Sequence, residues 1–120
     1  MVTIFPNMLD SYFAESIISR AVENKLIEIH TYALREYTTD KHRRVDGKPY
    51  GGGPGMVMWA DPILNCVAKI EKKLARKKNT KILFVMFNPG GDMFSNTLAK
   101  NVAIKYTDIV FICGRYEGID

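Results

Sequence analysis

The chain has 120 residues and a mass of 13.6 kDa, enough for one domain that buries its own core without disulfides or metals. Its 47% hydrophobic and 25% charged residues are the balance of a soluble globular protein; no apolar run is long enough to span a bilayer, and nothing near Met1 has the basic start and apolar stretch of a signal peptide. Seventeen Lys and Arg against thirteen Asp and Glu give +4 and a pI near 9.1, so an affinity for polyanions has to come from clustering rather than from the total.

Taken in chain order, "VTIF" (2–5) suits a short strand that Pro6 stops. Residues 8–24 predict a helix, with Leu9, Phe13, Ile17 and Ala21 on one face. "LIEIHTYAL" (26–34) alternates apolar and polar residues and predicts a strand. A long polar loop follows to residue 55, and "MVMW" (56–59) is a further short strand. Asp61 as cap and Pro62 at the first position open a helix whose inner face is Ile63, Val67, Ile70 and Leu74. "KILFVMF" (81–87) is a continuous apolar run, as in a strand buried on both sides, and "NPGG" (88–91) breaks it. Residues 95–106 predict a helix capped by Ser95, with Leu98, Val102 and Tyr106 inward. "DIVFIC" (108–113) is a second buried strand, ended by "GRYEG" (114–118). The two cysteines, Cys66 and Cys113, lie in apolar segments without CxxC spacing, which reads as buried, reduced thiols in a cytoplasmic protein.

Two buried strands joined by a helix make a βαβ unit, so the fold class is α/β with a parallel sheet flanked by helices. The right-handed crossover then brings "NPGG" and "GRYEG" to the same sheet edge, and if the strands are neighbours the two turns start about 5 Å apart. Open α/β sheets bind ligands at that edge.

The stretch "RVDGKPYGGGPGM" (44–56) places five glycines and two prolines in thirteen residues. It lacks the Lys-Ser/Thr of a phosphate-binding P-loop and the glycine spacing of a dinucleotide fingerprint. Neither HExxH nor GxSxG occurs, and His30, His42 and the distant cysteines make no metal site. Read alone, the glycines make a turn needing positive φ. Flanked by "KHRR" (41–44), Asp46 and Tyr50, they also fit a loop where backbone approaches phosphate or base. A second basic cluster, Lys69 to Lys81, reads first as a solvated helix face with cations near its C-terminus.

"DKHRRVDGKPYGGGPGM" (40–56) together with "CGRYEGID" (113–120) resembles the bacterial tRNA (guanine-N1)-methyltransferases of the SPOUT class, and "FPNM" (5–8) and "SRAVENKLIEI" (19–29) fit the opening of that family in the same order. The resemblance runs through essentially the whole chain. It implies an S-adenosylmethionine-dependent enzyme that methylates N1 of the guanosine 3′ to the tRNA anticodon, acting as a homodimer with each active site at the subunit interface. It also implies a sheet whose C-terminal part threads into a trefoil knot. On this reading residues 1–120 are the N-terminal portion of the catalytic domain. The knot-forming segment, the tRNA-binding C-terminal domain, and the aspartate base and arginine of the family all fall after Asp120. These residues alone are therefore expected to be inactive, and no catalytic residue is assigned among them.

Residue by residue, the resemblance gives the cofactor Phe87, Asn88, Pro89, Gly114, Tyr116, Glu117 and Gly118. It gives the RNA or the partner subunit Arg43, Arg44, Asp46, Gly55 and Arg115. The family pattern departs at two places: it usually has Ser before the proline and Gln-Gly after it where this chain has Asn88-Pro89-Gly90-Gly91, and two adjacent acids where this chain has Asp46-Gly47. Without the resemblance, Tyr116 suits a packed aromatic, Glu117 an acid opening a following helix, and Arg115 a surface ion pair of little worth. A non-catalytic RNA-binding α/β module is the alternative function, and a structural or dimerisation unit a third.

Overall fold

A computed structural model describes residues 1–120. Its strands are β1 (Val2–Thr3), β2 (Tyr32–Ala33), β3 (Asp46–Gly47), β4 (Val57–Met58), β5 (Ile82–Met86) and β6 (Asp108–Ile112). Its helices are α1 (Asp10–Phe13), α2 (Ser16–Glu23), α3 (Ala60–Leu74) and α4 (Asn96–Lys105), with 3₁₀ turns at Pro6–Leu9 and Leu34–Glu36. The main sheet has the order β2-β1-β6-β5 and all its pairings are parallel. β3 and β4 form a separate antiparallel ribbon.

The core lies between this sheet and α3. Ile63, Cys66, Ile70 and Leu74 of α3 pack with Val2, Val110 and Ile112 of the central strands and with Ile4 just after β1, and Leu34, Val45 and Met58 belong to the same cluster. Ile82 and Phe84 of β5 reach the same cluster. Their neighbour Leu83 points the other way, into a small cavity with Leu98 and Val102, so α4 covers the opposite face. The βαβ unit β5-α4-β6 therefore has the expected architecture, with Met86 paired to Ile112 at its carboxyl end. Ser95 caps α4, its hydroxyl accepting the Leu98 N–H at 3.2 Å.

Several local expectations are corrected. The helix over 8–24 is three short pieces: Glu15 is extended, and Ser16 restarts the chain at a φ of 64°. The restart moves the inner face from Ile17, which is 75% exposed, to Ile18. Only Tyr32–Ala33 of the strand over 26–34 joins the sheet, because β1 offers two partners and the register pairs Val2 with Tyr32. The first strand likewise stops at Thr3, and "MVMW" contributes only Val57–Met58. α3 begins two residues early, with Trp59 at the cap and Asp61 inside the first turn; Cys66 rather than Val67 takes the fully buried position. β5 is only half-buried because it is the edge strand, with no neighbour on its outer side. Leu98 remains 38% exposed, and Cys113 is half-buried rather than enclosed.

Candidate functional site

Parallel strands end on one rim, and the rim is where the two turns meet. Met86 at the end of β5 and Phe87, Asn88 and Pro89 after it face Gly114–Ile119 after β6 across a cleft of about 410 Å³. The sequence expected this juxtaposition from chain direction alone. Each turn is held by its own hydrogen bonds. The Asn88 side-chain oxygen accepts the Gly90 N–H at 2.7 Å and the Asn88 carbonyl accepts the Gly91 N–H at 3.0 Å, an Asx-type turn that keeps the chain tight after the strand. Phe87 stacks on Phe111 of the neighbouring strand, with centroids 5.6 Å apart, while half of its surface stays open.

The second turn is strained where it matters. Tyr116 has a φ of 65°, a left-handed conformation that costs an L-aromatic residue of order 1 kcal/mol or more. Its ring is 47% exposed at the cleft. The residues that follow are extended rather than helical, which corrects the reading of Glu117 as a helix-opening acid. The Glu117 N–H donates to the Met56 carbonyl, the Met58 N–H to Gly118, and the Asp120 N–H to Met58, at 3.1, 3.0 and 2.9 Å. Residues 117–120 thus lie parallel beside β4, and β4 pairs with β3, so the "GRYEG" turn and the glycine loop are joined through one small ribbon.

That joint brings Gly55 against Glu117. Gly55 has a φ of 87°, and a Cβ there would fall 2.6 Å from the Glu117 Cγ, so only glycine lets the loop close over this carboxylate. Asp46 sits in β3, opposite Met58, two strand spacings or about 10 Å from residues 118–119. Arg115 is fixed from two sides: its N–H donates to the Met58 sulfur at 3.1 Å, and its guanidinium lies 4.8 Å from the centroid of Phe5.

Arg43 and Arg44 stand apart from the cleft, on an ordered basic turn. Asp40 organises it: its carboxylate accepts the His42 and Arg44 backbone N–H groups at 2.9 and 3.1 Å and the Arg44 guanidinium at 2.8 and 3.2 Å. Those bonds, the Arg44 side chain first, hold the Asp40 carboxyl well below the usual carboxylate range. Arg44 also lies over the Trp59 ring at 5.9 Å, and Arg43 takes a φ of 54° with its carbonyl accepting from Arg35.

Phe5, Asp40, Met58 and Trp59 were not singled out from the sequence, although they position the residues that were. Phe5 follows β1, whose carboxyl end lies on the same rim. A second cavity of about 340 Å³, lined by Met1, Phe13, Ile27, Tyr32 and Ile109 among others, opens at the opposite, amino edge of the sheet and is mainly apolar.

Comparison with known proteins gives a consistent picture. The family model described as tRNA (Guanine-1)-methyltransferase TrmD matches residues 1–120. A tRNA (guanine-N(1)-)-methyltransferase of Thermomicrobium roseum is 47% identical over 118 residues, 98% of this chain and 42% of that protein. One of Clostridium botulinum is 44% identical over all 120 residues, which are 47% of its length. The crystal structure of tRNA (m1G37) methyltransferase from Aquifex aeolicus superposes with a TM-score of 0.84 at 31% identity, covering 99% of this chain and 51% of that one. The chain therefore spans about half the length of the curated relatives it matches. With the model matched from end to end and the α/β fold shared, these 120 residues belong to the tRNA (guanine-1)-methyltransferase family.

Proposed function

We propose that the protein to which these residues belong transfers a methyl group from S-adenosylmethionine to N1 of the guanosine 3′ to the tRNA anticodon, and that the cleft between 86–89 and 114–119 binds the methyl donor. The observation that carries this reading is the convergence of the two strand-end turns on one cleft, with the glycine loop joined to it at Gly55 and Glu117.

The residues present fit such a cofactor. The volume is in the range of small-ligand sites, and the lining mixes apolar side chains with polar groups. Phe87 and Tyr116 offer partly open aromatic faces for a purine. The backbone at Asn88–Pro89 and Gly114 offers hydrogen-bonding groups for its edge, and Gly118 keeps the turn open at a φ of 144°. The Glu117 carboxylate suits ribose hydroxyls or a nearby positive charge. When bound, S-adenosylmethionine supplies an electrophilic methyl group carried on a sulfonium.

On the substrate side, Arg43 and Arg44 would carry charge for phosphate, and Asp46 and the exposed backbone at Gly55 would read the guanine edge. N1 of guanine must lose its proton as it gains the methyl group, and negative charge must be steadied on the guanine oxygen. The family resemblance assigns that base and that cation to residues after Asp120, and we give neither role to a residue of this chain. A homodimer belongs to the same proposal: Met93 and Phe94, exposed by 89% and 50% in the segment that follows the Asn88–Gly91 turn, leave apolar surface that a second subunit would cover.

Calorimetric titration of the full-length protein with S-adenosylmethionine tests the reading. Saturable binding by the wild type that Gly114→Val abolishes is the expected result. RNA binding without cofactor binding would instead establish a non-catalytic RNA module.

A further inference from the structure

The net positive charge of the chain is concentrated in one place. Between Lys69 and Lys81 stand seven cations, Lys69, Lys72, Lys73, Arg76, Lys77, Lys78 and Lys81, against a single acid, Glu71; the other 107 residues hold ten cations and twelve acids. All seven side chains are exposed. None is in an ion pair, since the two ion pairs of the structure are His30–Glu28 and Arg44–Asp40. The favourable field at a helix C-terminus fades within one turn, so it accounts for Lys72 and Lys73 but not for the whole group. Crowding so many like charges costs self-repulsion that a solvated face does not require.

The position of the group suggests what relieves that repulsion. α3 starts at Ala60, next to the ribbon that joins the glycine loop to the cleft, and its 15 residues carry the chain about 22 Å to the far edge of the sheet. Along the way the flank is tied to the segment leading into the basic turn. The Asn65 amide donates to the Tyr37 carbonyl at 3.1 Å, and Lys69 lies 5.3 Å from the Tyr37 ring. One helical turn further, Lys73 lies 5.7 Å from the Tyr32 ring. The cations of 41–44 and those of 69–81 therefore flank one continuous strip, which starts near the proposed RNA loop and leads away from it.

We infer that the exposed flank of α3 and the turn after it form a second phosphate-binding surface, which tracks the backbone of the tRNA beyond its target base. This rests on the proposed tRNA substrate. A contact of this kind is indifferent to sequence and acts through release of counterions, so its signature is salt dependence.

The test uses the full-length protein, an unmodified tRNA transcript, and a variant carrying Lys72→Gln, Lys77→Gln and Lys78→Gln, whose side chains make none of the hydrogen bonds, ion pairs or ring contacts that hold Lys69 and Lys73. Affinity is measured by fluorescence anisotropy at several salt concentrations. Losing three phosphate contacts should flatten the slope of log K against log salt by about 2 to 3. Cofactor binding, measured in parallel, should not change. A control with Lys100→Gln and Lys105→Gln on α4 removes charge elsewhere and should leave the slope nearly as in the wild type. An unchanged slope in the triple variant overturns the inference, and so does an equal loss in the control. Binding of the wild type, but not the triple variant, to phosphatidylglycerol vesicles with unaltered tRNA affinity would overturn it in favour of a membrane surface. If cofactor binding is absent from the wild type while the slope still flattens, the surface stands and the enzyme reading falls.

Discussion

The indole of Trp59 fills the space that any side chain at residue 47 would need: a Cβ on Gly47 would fall 2.6 Å from Trp59 Nε1 and within 3.3 Å of two ring carbons. Trp59 has contacts at its backbone and over its ring. Its backbone N–H donates to the Val45 carbonyl at 2.8 Å, and the Arg44 guanidinium lies over its face. The departure from two adjacent acids at Asp46-Gly47 is thus matched by a large aromatic across the ribbon.

Gly47→Ala should consequently destabilise the protein by about 1–3 kcal/mol through overpacking, measured by urea denaturation. In a Trp59→Ala background the same change should cost less than about 0.5 kcal/mol, since the clash is gone. A double-mutant cycle with no coupling between the two sites would show that the ribbon moves freely and that the glycine is not dictated by the tryptophan.

The Asp40 turn predicts a response to acid. Because Arg44 and two backbone N–H groups hold the Asp40 carboxyl below its ordinary value, the folded turn favours the ionised form. That contribution is complete above the free-aspartate range near pH 4 and is lost as pH falls through the lower folded value. The His42 and Arg44 amide resonances should therefore titrate together, with a midpoint below that of a free aspartate. Asp40→Asn should weaken tRNA binding severalfold by loosening Arg43 and Arg44, and leave cofactor titration as it was. Amide shifts that move at the ordinary aspartate midpoint would contradict the clamp.

Cys66 offers an independent probe of the core. It is fully buried, and burial pushes its thiol up to about 11. A raised thiol contributes its full stability below the ordinary cysteine range and loses it as pH rises towards 11. Native protein should leave Cys66 unlabelled by a maleimide at pH 7, with labelling rising in step with the urea transition. Cys113 is half-buried and should react slowly before that transition. Rapid labelling of Cys66 without denaturant would mean that α3 opens locally.

What could be read from the sequence is what depends on direction and period. Chain direction through β5, α4 and β6 was enough to bring Asn88 and Gly114 to one rim, because parallel strands end on the same edge of their sheet. Period found the buried stripe of α3 at Ile63, Ile70 and Leu74 and missed only its fourth member, since Cys66 and Val67 satisfy the helical spacing almost equally. Period misled at Ile17, where the apolar recurrence continued across a helix break that no glycine or proline announced. It misled again over 26–31, where alternation was real but the register left no strand to pair with. Pairings between distant segments left no local trace: nothing in "GRYEG" shows that residues 117–120 lie beside Val57–Met58, or that Gly55 must make room for Glu117.

The left-handed Tyr116 gives the sharpest separation of stability from function. A tyrosine at a φ of 65° is strained by about 1 kcal/mol or more, and its ring is half-exposed, so it returns little packing energy. Glycine takes that conformation freely but gives up unfolded-state entropy of about 0.5–1 kcal/mol. Tyr116→Gly should therefore leave stability within about 1 kcal/mol of the wild type, on either side, while S-adenosylmethionine affinity falls at least tenfold through loss of the aromatic face. Tyr116→Phe keeps that face and should bind the cofactor nearly as well as the wild type. If Tyr116→Gly binds cofactor normally, the strain belongs to the turn alone and the ring has no part in the cleft. If Tyr116→Gly unfolds the protein while Tyr116→Phe does not, the ring is a packing element after all, and its half-exposed position needs another explanation.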